Sequence, residues 1–115
     1  TLSSVVSKIS LSTFTVVDTL RVVSEAYSLW GDSQYLYCSN YSDGGVVSKI
    51  SLSTFTVVDT LRVGSYARPL WGDSQYLYCG DALSGVISKI SLSTFTVVDT
   101  VDTGSRAYFL WGDSQ

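Results

Sequence analysis

The segment Val5–Val22, VVSKISLSTFTVVDTLRV, recurs unchanged at Val46–Val63. Val86–Thr100 repeats its first fifteen residues, with Ile87 as the one difference. A second motif, Leu-Trp-Gly-Asp-Ser-Gln, runs in step at 29–34, 70–75 and 110–115, so Trp30, Trp71 and Trp111 are 41 and then 40 residues apart. A period of this length marks one supersecondary unit copied in tandem, and it constrains the fold more than any single residue does. The positions that differ between copies also serve as an internal comparison, because they show where the chain has been free to change.

Within one repeat the residues predict four short strands. Ala67–Trp71 is the first, and Tyr76–Cys79 follows after the tight polar turn Gly72–Gln75. Val86–Ser91 and Thr96–Val101 are rich in β-branched residues and are joined by the hairpin loop Leu92–Phe95, while Gly80–Gly85 is turn-rich. No stretch carries an apolar period of 3.6, so helix is not expected. Four strands per repeat with turn signals at regular intervals is the pattern of a β-propeller blade. The expected fold is all-β, a β-propeller of four-stranded antiparallel blades.

The stretch Thr56–Ser91 also resembles the YVTN-type β-propeller repeat, and the resemblance spans every repeat, through Pro69, Asp73, Tyr76, Tyr78, Val86, Ser88, Ile90, Thr96, Val97 and Val98. The chain departs from that pattern at Cys38 and Cys79, at Trp30, Trp71 and Trp111, and at Asp18, Asp59 and Asp99. Such motifs encode packing and turns, so the resemblance implies architecture strongly and function weakly. Repeats of this type are often found on cell surfaces or outside the cell, and the resemblance implies that location here. Free cysteines point mildly the other way.

Strands in a blade run A to D outward from the central axis, so the chain reads C-D, A-B-C-D, A-B-C-D, A. That divides it into a partial blade at 1–22, blades at 23–63 and 64–103, and a partial blade at 104–115, about 2.75 blades against the ~4 to 8 of a closed propeller. A partial ring leaves strand edges and apolar blade faces uncovered. The expectation is closure by homo-oligomerisation or by neighbouring blades of a longer chain, with a filament as the outcome of contacts that do not close.

Differences between copies concentrate in two connections. The A–B turn Gly-Asp-Ser-Gln and the C–D loop Ser-Leu-Ser-Thr-Phe-Thr never change, whereas the D–A and B–C connections do. In an up-and-down blade those two lie at the same end, so the variation is expected on one face of the disc. Glu25, Tyr66 and Arg106 are equivalent there, as are Tyr27, Arg68 and Tyr108, and Tyr41 lies in the longer B–C connection. Tyrosine and arginine combine large contact area with a polar end, and rigidly held loops commonly carry recognition residues. These seven residues are the candidate ligand-binding set, with a protein or carbohydrate as the partner. Drift of tolerant loops after duplication is the competing explanation.

Composition removes other classes. The chain has 115 residues, a formal net charge of -3 and only seven basic side chains, which argues against nucleic acid. Hydrophobic residues make up 45%, but no apolar run approaches the ~18 residues of a membrane helix. The first residues show no basic-then-apolar leader. Histidine is absent, which removes the commonest general base, and no serine sits in an elbow motif, so an enzyme is not expected. No cofactor or metal is implied: Asp32, Asp73 and Asp113 read as turn formers, and Cys38 and Cys79 as small core side chains too far apart to bridge. Lys8, Lys49 and Lys89 lie on the strand beside the one carrying Asp18, Asp59 and Asp99, where a cross-strand ion pair is possible in the right register. The tryptophans are expected to pack rather than stack on a ligand. Asn40-Tyr41-Ser42 is a sequon, weak evidence by itself.

Overall fold

β-Branched and aromatic residues take the pleated conformation throughout, and the invariant turns fold them back on themselves. A computed structural model describes residues 3–23, 26–40, 45–64, 67–81 and 85–103. Strands β1 (Ser3–Ser10) and β2 (Thr15–Val23) form a two-stranded sheet. Next come β3 (Ala26–Gly31), β4 (Tyr35–Asn40), β5 (Val46–Ser51) and β6 (Thr56–Arg62), antiparallel neighbours in that order. A second four-stranded sheet holds β7 (Ala67–Gly72), β8 (Tyr76–Asp81), β9 (Val86–Ser91) and β10 (Thr96–Asp102). No helix occurs among the described residues. The strands anticipated from the repeat match to within two residues, and β8 runs on through Gly80 and Asp81, which were expected in the turn.

The C–D hairpin is built identically in each copy. The amide of Phe14, Phe55 and Phe95 donates to the carbonyl of Ser10, Ser51 and Ser91 at 2.7 Å, closing the turn. Each phenylalanine is then held in the left-handed region, with φ of 52°, 53° and 53°. A non-glycine side chain there costs about 1–2 kcal/mol, so something else must hold it. Three residues further along, Val17, Val58 and Val98 are left without a cross-strand partner by a bulge opposite the Lys-Ile pair. That bulge, with Asp18, Asp59 or Asp99 beside it, blunts the outermost strand against pairing with another chain.

The apolar core lies between sheets. Val6 and Val22 of the first sheet pack with Cys38, Ile50 and Phe55 of the second. Tyr37 and Val47, on the second sheet's other face, pack with Ala67, Leu70, Leu77, Cys79, Ile90 and Phe95 of the third. Phe55 and Phe95 therefore plug the sheet before their own, and the Phe95 ring lies 5.8 Å from that of Tyr37. Trp30 also wedges between sheets: a Cβ on Gly72 would lie 2.7–2.9 Å from its indole atoms, so this invariant position needs glycine.

The lysine–aspartate expectation is half met. Register sets Lys8, Lys49 and Lys89 directly opposite Asp18, Asp59 and Asp99. The ion pair nevertheless gives way to other partners: Lys49 and Lys89 place Nζ 4.2 Å from the ring centres of Tyr35 and Tyr76. Each aspartate Oδ1 accepts from the amide of the next residue, Thr19, Thr60 or Thr100, at 2.8–2.9 Å. The bulge turns the carboxylate back onto its own strand, while the flexible lysine stem reaches a ring face.

Both cysteines are free and buried. Burial pushes the Cys38 thiol up to about 11. Burial first, then the charges of Asp32 and Tyr35, push the Tyr37 phenol up to about 12. Unfolded, these groups lose protons from about pH 8.5 and 10, while the folded protein retains them, so stability falls as pH rises through that range. Urea midpoints are expected to drop steadily between pH 8 and 11, by an amount on the order of 2 kcal/mol per group, with the Cys38→Ala variant losing less. A flat profile over that range would contradict the burial of both groups.

Candidate functional site: the variable rim

Alternating strand direction gathers the connections into two rims. On one, the A–B and C–D turns are joined by the amides of Leu52 and Leu92, which donate to the carbonyls of Gln34 and Gln75 at 3.0 and 3.1 Å. Asp32 and Asp73 stiffen that rim, each accepting two backbone amides through Oδ1 at 2.7–2.9 Å, which gives these aspartates a turn role. Two shallow clefts open here, of about 420 Å³ beside Gln34 and Ser53 and about 280 Å³ beside Gln75 and Ser93. Their residues are identical in both copies, so they hold none of the positions that vary.

The opposite rim carries the ends of the variable connections. Val63 donates its amide to the Gly45 carbonyl at 2.9 Å, and Thr103 reaches Gly85 with its amide at 3.0 Å and its hydroxyl at 2.7 Å. The anchors of the B–C and D–A connections are thus bonded to each other. Gly45 and Gly85 take φ of 65° and 81°, which these tight crossings require.

One difference between copies proves to be a compensated pair, which the sequence did not reveal without the contact. Ser28 donates its amide to Ser39 Oγ at 3.1 Å. At the equivalent positions stand Pro69, which has no amide hydrogen, and Gly80, which has no hydroxyl, so donor and acceptor disappear together. Asp81 Oδ2 would lie 2.5 Å from a Cβ on Gly64, so this position is confined to glycine. At the position equivalent to Asp81 stands Asn40, buried with Oδ1 accepting from Ser48 Oγ at 3.2 Å. Asn40 Nδ2 is buried without a hydrogen-bond partner.

Of the candidate binding residues, Tyr27 lies on β3 and is 46% exposed. Arg68 falls on β7, and its side chain lies outside the described residues, as do Glu25, Tyr41, Tyr66, Arg106 and Tyr108. No cluster of metal-ligating side chains occurs among the described residues, and no helix there is long and apolar enough to cross a membrane.

Sequential four-stranded antiparallel sheets stacked face to face, with all connections on two rims, define a partial β-propeller. Solved structures share it. The chain superposes on hydrazine synthase of Kuenenia stuttgartiensis with a TM-score of 0.79 at 15% identity, covering 88% of this chain and 30% of that one. For apo AztD of Citrobacter koseri the values are 0.70, 13%, 79% and 27%. For the dihydro-heme d1 dehydrogenase NirN they are 0.70, 16%, 83% and 22%. The chain therefore spans less than a third of each of these proteins, and at such identities the likeness concerns the fold. No protein-family model and no curated protein matches the sequence.

Proposed function

We propose that this chain is a non-catalytic recognition module, a propeller scaffold that presents a varied rim to a protein or carbohydrate. The observation that carries the reading is Tyr27. The buried difference between Ser28 with Ser39 and Pro69 with Gly80 is a compensated pair, whereas this exposed tyrosine is replaced by arginine at 68 and kept as tyrosine at 108. Drift constrained only by packing explains the first kind of change and leaves the choice of large, polar-tipped side chains unexplained. The absence of histidine from the sequence supports a role without acid–base chemistry. Resemblance to YVTN-type repeats supports a place at the cell surface or outside the cell.

Glycan and peptide arrays probed with the whole chain are expected to yield a ligand. Replacing Tyr27, Tyr66, Arg68, Arg106 and Tyr108 together by alanine should then abolish binding with the β-sheet circular dichroism unchanged. Equal binding by the variant would end this reading.

One observation favours a second, structural reading. Phe14 is 79% exposed, while its equivalents Phe55 and Phe95 are 6% and 5% exposed inside their neighbours. Tyr78 is half-buried where Tyr37 is covered. The two faces match as Phe95 matches Tyr37, so copies of the chain can stack head to tail. Light scattering separates the readings: a small ring of fixed mass fits a binder, and polydisperse growth fits a polymer.

A further inference from the structure

The first sheet has an edge whose proper occupant is spelled out twice in the same molecule. Val46–Ser51 and Val86–Ser91 each pair antiparallel with a Tyr-Leu-Tyr-Cys strand in one register. Leucine lies opposite isoleucine (Leu36–Ile50, Leu77–Ile90), tyrosine opposite lysine (Tyr37–Lys49, Tyr78–Lys89), and cysteine opposite serine (Cys38–Ser48, Cys79–Ser88). β1 carries the same VVSKIS at Val5–Ser10, yet among the described residues it pairs with β2 alone. We propose that the other edge of β1 is an acceptor for an extended peptide of the Tyr-Leu-Tyr-Cys type, added as an antiparallel strand. The inference is independent of the variable rim and of the stacking of Phe14.

Three features of β1 support it. Ile9 is 47% exposed, against 0% for both Ile50 and Ile90, which are covered by the leucine of the adjoining strand and by the sheet before their own, and among the described residues Ile9 has neither. Lys8 Nζ has Phe55 at 5.8 Å, whereas its equivalents lie 4.2 Å from the first tyrosine of the adjoining strand. The backbone is also poised. Because the Leu52 amide donates to Gln34, alternation along the strand points the amides of Ile50, Ser48 and Val46 toward β4. By equivalence, those of Ile9, Ser7 and Val5 point to the open edge. Strand addition of this kind draws affinity from the main-chain ladder and selectivity from alternate side chains. The predicted register sets the peptide's leucine opposite Ile9, its second tyrosine opposite Lys8, and its cysteine opposite Ser7.

The test adds a synthetic peptide of residues 31–40, GDSQYLYCSN, under reducing conditions to the full 115-residue chain. Amide exchange is followed by NMR. Protection of the Val5, Ser7 and Ile9 amides is expected to rise with peptide concentration. N-methylation at the peptide's Leu36 and Cys38, whose amides face β1 in this register, should weaken binding at least ~10-fold; the same change at Tyr37, which faces away, should leave it within about 3-fold. Equal loss from both modifications, or no protection at millimolar peptide, overturns the proposal. Protection of the three amides before any peptide is added also overturns it, since the edge would then be held by a second copy of the chain.

Discussion

Phe95→Ala and Phe55→Ala will each lower the unfolding free energy by about 3–5 kcal/mol, and Phe14→Ala by less than about 0.5 kcal/mol. All three phenylalanines sit in the same six-residue loop with the same φ near 52–53°. Local sequence and backbone thus cancel from the comparison, and what remains is the neighbour. Phe95 lies against Tyr37 and the Lys49 ammonium, at 5.8 and 5.7 Å, and removing its ring opens a cavity between two sheets. Phe14 has no such cover, so alanine leaves no cavity there. Glycine sharpens the test. Phe14→Gly relieves the left-handed strain and is expected to stabilise by up to about 1 kcal/mol, whereas Phe55→Gly and Phe95→Gly lose the packing and destabilise. Urea unfolding of the six variants decides the matter. Equal losses at the three alanine positions would show that the hairpin, and not the contact between sheets, uses the ring.

Gly45→Ala is expected to cost about 3 kcal/mol or more. The residue has φ 65°, and an added methyl would lie 2.6 Å from the Gly64 carbonyl oxygen and 3.0 Å from the Ala67 nitrogen. Both are backbone atoms that cannot swing aside as a side-chain tip can. Relief requires the B–C and D–A connections to part, which breaks the Val63-to-Gly45 hydrogen bond that joins their anchors. Gly31→Ala is the control. Its nearest neighbours, at 3.1 and 3.2 Å, are the Tyr35 carbonyl and the tip of Leu36, so about 1 kcal/mol is expected. Thermal unfolding of the two variants measures the difference. A Gly45→Ala midpoint equal to that of Gly31→Ala would mean that the two connections do not constrain each other.

The architecture was legible because a repeat multiplies its own signal. Alternating Tyr-Leu-Tyr-Cys states its local preference twice, β-branched Thr-Val-Val and the unchanging Gly-Asp-Ser-Gln state theirs three times, and local preference is what strands and turns obey. Strand ends were less clear, since Gly80 and Asp81 read as turn residues and still pair in β8. Of the rim, its position was legible from strand alternation, and Tyr27 is exposed there. The pairing of Ser28 with Ser39, and its replacement by Pro69 and Gly80, was not. Residues far apart in sequence become donor and acceptor only once two strands meet, and no pattern within either segment announces it.

From residues alone came the tandem unit, its four strands and the face on which copies diverge, while the register that sets lysine opposite aspartate came from the structure. Tertiary structure decided what identical residues do. Ile9 and Ile50 share one sequence context and differ between exposed and buried, and Lys49 leaves Asp59 for the ring of Tyr35. The reason is that burial and ring contacts depend on which sheet stands next, and the repeated sequence is the same whether or not one does.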